Sequence, residues 1–169
     1  MGRVVLLATG ERLVGKGVRA FNSVLEEVLR SASREIQIAV YRIDTSAMPL
    51  LDILEEAARK GVRVLIILSA MDEQPAGIRK RLERSGRSGG VRVVDFRSGG
   101  GGLLHAKTVV VDRQRAIIGS ANLTWGGLIH NYEIGILVEG PEAWEIARML
   151  DILAEAGCPE IYAADQPTV

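Results

Sequence analysis

Residues 35–68 read EIQIAVYR, IDTSAMPLLDILEEAARK and GVRVLIIL, and this strand–helix–strand run decides the fold class. Glu35 to Arg42 alternates, with Ile36, Ile38 and Val40 on one side, as a strand requires. Thr45 or Ser46 stands where a cap is needed for the helix that follows, which runs to Lys60. Gly61 then supplies the left-handed stop. Val62-Arg63-Val64-Leu65-Ile66-Ile67-Leu68 is almost continuously apolar and β-branched, the pattern of an interior strand.

The same alternation extends outward. Val18 to Ser33 carries Val18, Phe21, Val24, Leu25, Val28 and Leu29 at the spacing of one helical stripe. Before it, Val4 to Ala8 reads as a first strand. Pro75 to Glu83 suggests a short helix and Val91 to Phe96 a weaker strand. Four consecutive glycines, Gly99 to Gly102, make a loop, whether as a flexible rim to a site or simply as a permissive connection. Strands are expected over Lys107–Asp112, Ala116–Gly119 and Tyr132–Val138, with a turn at Arg113-Gln114-Arg115. Pro141 opens a last helix that reaches Ala156. These elements imply an α/β fold: one domain over residues 1–169, with a mixed, largely parallel sheet sandwiched between helices.

Composition narrows the function classes. The chain has 169 residues, 21 Lys and Arg against 21 Asp and Glu, and a formal net charge of zero. A dedicated nucleic-acid binder is often strongly basic, so any grip on nucleic acid has to come from a local patch. The single cysteine, Cys158, excludes an internal disulfide and a cysteine-rich zinc site, and reads as a small buried apolar residue. No stretch approaches the ~20 apolar residues that span a bilayer. The run Val4–Ala8 is too short for a secretory h-region, so a cytoplasmic protein without membrane insertion is expected.

The chemistry concentrates between His105 and Glu133. His105-Ala106-Lys107 is followed by four residues and then Asp112, and Gly119-Ser120-Ala121-Asn122 begins seven positions later. By composition alone, His-x-Lys-x-x-x-x-Asp arises in about one chain per hundred. Adding Gly-Ser-x-Asn at a fixed offset makes coincidence several thousandfold rarer. On a strand, residues i and i+2 share a face, so His105 and Lys107 project together. An imidazole is nucleophilic at neutral pH, and an adjacent lysine can neutralise a phosphate oxygen. The Ser120 hydroxyl and Asn122 amide can hydrogen-bond phosphate oxygens, and Gly119 lets the backbone approach closely.

On these residues the chain resembles the phospholipase D superfamily, in its minimal single-motif branch of bacterial phospholipase-D-like endonucleases. The resemblance implies that His105 attacks phosphorus to form a covalent phosphohistidine. Lys107, Ser120 and Asn122 would then bind phosphate, and Glu133 would orient the histidine. Asp112 is expected to be structural support, like Gly119. No metal and no cofactor are implied. Because the mechanism asks for two histidines and the chain carries one motif, the resemblance implies a homodimer whose two His105 residues share one site. The expected activity is metal-independent phosphodiester hydrolysis, with DNA or RNA as substrate. The alternatives are a phospholipase D or phosphatidyl transferase on lipid head groups, and a catalytically weak nucleic-acid-binding module.

Other residues carry softer signals. His130 is the competing candidate for the proton donor, though a rim histidine is the simpler reading. Trp125 could stack on a base, but core packing is the expectation. Arg79, Lys80, Arg81, Arg84, Arg87, Arg92 and Arg97 could line a phosphate track, but such runs are more often solvated helix faces. Arg113 and Arg115 read as turn residues distal to the site, and Arg42 as a residue able to reach the catalytic edge.

Overall fold

In the computed structural model, which describes residues 2–98 and 100–157, eight strands form one sheet in the order β2-β1-β8-β7-β6-β3-β4-β5. The strands are β1 (Arg3–Thr9), β2 (Arg19–Ala20), β3 (Glu35–Val40), β4 (Arg63–Ser69), β5 (Val91–Phe96), β6 (Lys107–Val111), β7 (Arg115–Gly119) and β8 (Glu133–Glu139). The helices are α1 (Phe21–Arg30), α2 (Met48–Arg59), α3 (Ala76–Arg87) and α4 (Pro141–Ala156). Cys158 lies outside the described residues.

Strand parity builds the two cores. Ile36, Ile38 and Val40 of β3, with Ile66 and Leu68 of β4, face α1, α2 and α3. The opposite parity, Ala39, Ile67 and Val110, packs under α4 through Ala143, Ala147, Leu150 and Ala154. The small residues of α4 let that helix lie close to the sheet. Helices therefore cover both faces, as the α/β reading requires. The parallel share is smaller than expected. β3-β4-β5 and β1-β2 are parallel, whereas β1-β8, β3-β6, β6-β7 and β7-β8 are antiparallel. The reason is the chain's second half, where β6 and β7 join by a tight turn with no helical crossover, and hairpins are antiparallel.

Two local expectations are corrected. The cap before α2 is neither Thr45 nor Ser46: Asp44 accepts from the Ser46 N–H at 2.8 Å and opens a 3₁₀ turn over Thr45–Ala47, with α2 beginning at Met48. Arg113 is more than a turn residue, since it pairs with Asp151 of α4 at 2.8 Å and with Glu35 of β3 at 2.5 Å. These pairs hold Arg113 in a left-handed conformation (φ 56°) that a non-glycine residue rarely adopts.

Asp112, also left-handed at φ 55°, ties the sheet's two halves together. Its carboxylate accepts from the Ser33 N–H and hydroxyl at 2.9 and 2.8 Å, and from the Arg34 and Glu35 N–H groups at 2.7 and 2.9 Å. Burial alone would raise its pKa, but the hydrogen bonds outweigh burial and hold it below the ordinary aspartate value. A depressed carboxylate contributes stability that is present above its unfolded pKa and lost as pH falls through the folded one. Asp112→Ala is therefore expected to cost about 3 kcal/mol at neutral pH. In urea denaturation, the gap between wild type and variant should narrow below the ordinary aspartate pKa; a gap constant down to pH 2 would contradict this account.

Candidate active site

The motif residues converge at one end of the sheet because of its register. Lys107 starts β6 opposite Val40, Gly119 ends β7 opposite Gly135, and Glu133 starts β8 opposite Thr9. These pairings give Lys107, Gly119 and Glu133 the same parity, that of the face covered by α1. Backbone crowding fixes the arrangement. A Cβ on Gly135 would stand 2.7 Å from the Phe21 ring and 2.9 Å from the Ile118 carbonyl, and one on Gly119 would stand 2.9 Å from both Phe21 and the Ile134 carbonyl. The two glycines form a slot for the first residue of α1.

His105 is exposed, immediately before β6, and among the described residues its ring hydrogen-bonds only to Lys107. The Lys107 ammonium lies 3.0 and 3.1 Å from the two ring nitrogens and donates to the His105 carbonyl at 2.8 Å. Partial burial lowers the Lys107 pKa, while the Glu133 charge acts the other way. Ser120 donates its hydroxyl to Glu133, and the Ile134 N–H donates to the Ser120 oxygen at 3.2 Å. The second Glu133 oxygen accepts from the Asn131 amide at 3.1 Å. Asn122 is half-buried, and its Oδ1 is fully enclosed without a hydrogen-bond partner.

The structure thus brings His105 and Lys107 together, and Ser120 and Glu133 together. It does not join Glu133 to His105, and Asp112 sits at the opposite end of β6. Sequence reading missed Tyr41, whose ring packs on His105 with centroids 5.1 Å apart and lies 5.9 Å from the Lys107 ammonium. The available signal was an aromatic closing a strand that neighbours the motif strand. Arg42, exposed, has its guanidinium 5.9 Å from the same ring. His130 stacks on Trp125, and Trp125 is 52% exposed instead of packed in the core.

The basic segment is largely engaged elsewhere. Arg81 is mostly buried, binding Asp52 and Glu55 of α2, and Arg79 donates to the Asp72 carbonyl at 3.3 Å. Arg97 pairs with Asp95 at 2.7 Å. Among the described residues, no cluster of three or more His, Cys, Asp or Glu side chains is placed to hold a metal ion. No helix there is long and apolar enough to cross a membrane.

The family model described as "Cardiolipin synthase, PLD-like domain" matches residues 25–152. The DISARM protein DrmC of Bacillus paralicheniformis is 29% identical over 147 residues, which cover 87% of this chain and 61% of that protein. The human 5′-3′ exonuclease PLD3 is 37% identical over 86 residues, covering 50% of this chain and 17% of its own. The chain therefore spans less than two thirds of the length of either relative. The crystal structure of Nuc from Salmonella typhimurium, a phospholipase D family member, superposes with a TM-score of 0.75 at 18% identity, over 93% of this chain and 97% of that one.

Two outcomes test the site's construction. Gly135→Ala should destabilise the chain by about 1–3 kcal/mol through overpacking. Phe21→Leu should cost less in that variant than in wild type, a coupling that four denaturation curves would reveal; strict additivity would remove Phe21 from the slot. Glu133→Gln should lower the Lys107 pKa further, because it deletes the charge that opposes burial. A ¹³C NMR titration of the Lys107 Cε reads this, and an unmoved midpoint would mean the two charges do not interact.

Proposed function

The chain belongs to the phospholipase D-like family, and on that premise we propose that it is a metal-independent nuclease that cleaves DNA or RNA through a covalent phosphohistidine. One observation carries this reading: an exposed imidazole held against a lysine ammonium, at the strand ends where Ser120 and Glu133 also meet. The likeness to a protein named as an exonuclease adds support for nucleic acid as the substrate class.

In this proposal a nitrogen of His105 attacks phosphorus and the P–O bond to the leaving oxygen breaks. Lys107 neutralises a non-bridging oxygen, which is why its partial burial matters: charge acts more strongly where water is excluded. Asn122 and Ser120 supply hydrogen bonds to the phosphoryl group. When the Ser120 hydroxyl turns to a phosphate oxygen it leaves Glu133, freeing that carboxylate to orient the imidazole through its other nitrogen. The leaving oxygen takes its proton from the His105 of a second copy. Water then attacks the phosphohistidine, passing a proton to the now neutral His105 of the second copy as the P–N bond breaks, which releases the second product and restores both histidines.

A second copy also accounts for surface that the single chain leaves bare. Val4 and Leu6 of β1 and Ile134 of β8 are each more than half exposed on the α4 side of the sheet. Trp144, Met149 and Ile152 lie exposed along α4 itself. An isologous dimer would bury both sets and bring two motif-bearing strand ends together. A second reading, exchange of phospholipid head groups, is favoured by one observation: Leu103, Ile129 and Tyr132, all exposed, occur within the segment that carries the site.

The deciding experiment is cleavage of circular single-stranded DNA, linear duplex DNA and RNA in excess EDTA, with wild type beside His105→Ala. Wild type should cut at least one polymer, and His105→Ala should lose about 10³-fold or more in rate. Opening of the circle would assign cleavage to internal bonds. Activity abolished by EDTA would overturn the mechanism. Inert nucleic acids alongside head-group release from phosphatidylcholine or phosphatidylglycerol vesicles would establish the second reading.

A further inference from the structure

The loop after the Gly-Ser-x-Asn turn is built unusually. Residues Gly126–His130 form a π-helical turn, closed by the Asn131 N–H donating to the Gly126 carbonyl at 2.7 Å. Such wide turns are rare and cluster at functional positions. Its geometry has a consequence for two rings. On an α-helix, residues five apart point about 140° away from each other. The wider turn brings Trp125 and His130 onto one side, where their rings stack with centroids 4.7 Å apart and planes 20° from parallel.

The turn is held in place by its neighbours. Gly127 packs so tightly on Asn122 that a Cβ would fall 2.4 Å from the Asn122 carbonyl oxygen. Thr9 donates its hydroxyl to the Gly127 carbonyl at 2.9 Å. Both ends are tethered to the candidate site. At the front, the Trp125 N–H donates to Asp44 at 3.0 Å, and the adjoining Leu123 N–H donates to the Arg42 carbonyl at 3.2 Å, next to the Tyr41 that packs on His105. At the back, Asn131 holds Glu133. A tryptophan left 52% exposed yet backed by a parallel ring is a rigid π surface beside a phosphodiester site.

We infer that the Trp125–His130 pair is a nucleobase-stacking subsite, so that the substrate is a strand whose bases are unpaired next to the scissile phosphate. This rests on the nuclease reading and deepens it. An aromatic face accepts any base and cannot reach one paired inside a duplex. The subsite therefore predicts single-strand preference with little sequence preference. A flat stack also suits a chain with zero net charge. With no net charge to attract a backbone at long range, stacking on the base supplies affinity that needs no charge.

The test is equilibrium binding by fluorescence anisotropy, in a His105→Asn chain that does not turn over. The probes are fluorescein-labelled oligothymidylate, an abasic strand of the same length and backbone, and a blunt duplex. Oligothymidylate should bind about 10- to 100-fold more tightly than the abasic strand. Trp125→Ala should erase that gap, Trp125→Phe should retain part of it, and the His130→Ala gap should be intermediate. Equal affinity for oligothymidylate and abasic strand overturns the stacking subsite and leaves a nuclease that grips phosphate alone, whereas a gap that survives Trp125→Ala overturns it by placing the base contact elsewhere. No binding to any strand, with partition of Trp125 into phosphatidylglycerol vesicles instead, overturns the subsite together with the nuclease reading beneath it.

Discussion

The Asp112 carboxylate sits at the end of β6 and collects four hydrogen bonds from Ser33, Arg34 and Glu35, the residues that lead into β3. That contact pins the register in which Ile36 faces Val111 and Val40 faces Lys107. A slip of one residue would turn every side chain of β6 to the other face. Lys107 would then point under α4, away from Glu133. The motif's aspartate thus acts at a distance from the candidate site: it fixes which face the lysine occupies. It also explains why the antiparallel half of the sheet can dock on the parallel half without slippage, although β3 and β6 are far apart in sequence.

Once the register is set, the site follows from crowding and charge. The glycine pair Gly119 and Gly135 admits Phe21, which seats the start of α1 against the same strand ends. Burial of Lys107 raises the energy of its charge, and Glu133 partly restores it. The result is a cation poised beside an imidazole and short of a full counterion, since Glu133 is occupied by Ser120 and Asn131. A phosphate entering there would meet an unneutralised ammonium and a hydroxyl able to turn. In such a place an anion gains more than it would at an exposed salt bridge.

Much of this was legible in the sequence. The alternation of Ile36, Ile38 and Val40 and the run Val62–Leu68 marked two strands, because period-2 burial leaves a direct trace. The spacing from His105 to Asn122 marks a candidate site, and the fold gathers His105 with Lys107, and Ser120 with Glu133, at neighbouring strand ends. Other features left no local trace. Sheet direction depends on whether a crossover or a tight turn joins two strands, and the link Arg113-Gln114-Arg115 reads in sequence only as a turn. Arg113 looked like a solvated turn residue because Glu35 and Asp151 are remote in sequence. The cap is expected at Thr45 or Ser46, and Asp44 takes that role because its carboxylate reaches the N–H groups of both Ser46 and Trp125. Trp125 was assigned to the core by its apolar character; the π turn that exposes it comes from Gly127 packing on Asn122, which no periodicity reports.

The place of His130 bears on how the proposed reaction obtains its second proton. Phosphohistidine chemistry needs an acid for the leaving oxygen, and the chain has two histidines in all. One is the proposed nucleophile. The other lies flat on Trp125, its ring committed to a stack at 4.7 Å. Lys107 is adjacent to His105, but its ammonium is already bonded to that residue's carbonyl, and in the proposal its charge serves the non-bridging oxygen. In the proposal, a second His105 is the group whose properties suit that role. The bare apolar strips on β1, β8 and α4 offer the adhesive for such a pairing. Dimer formation and catalysis would then be one event, with neither copy able to complete the reaction alone.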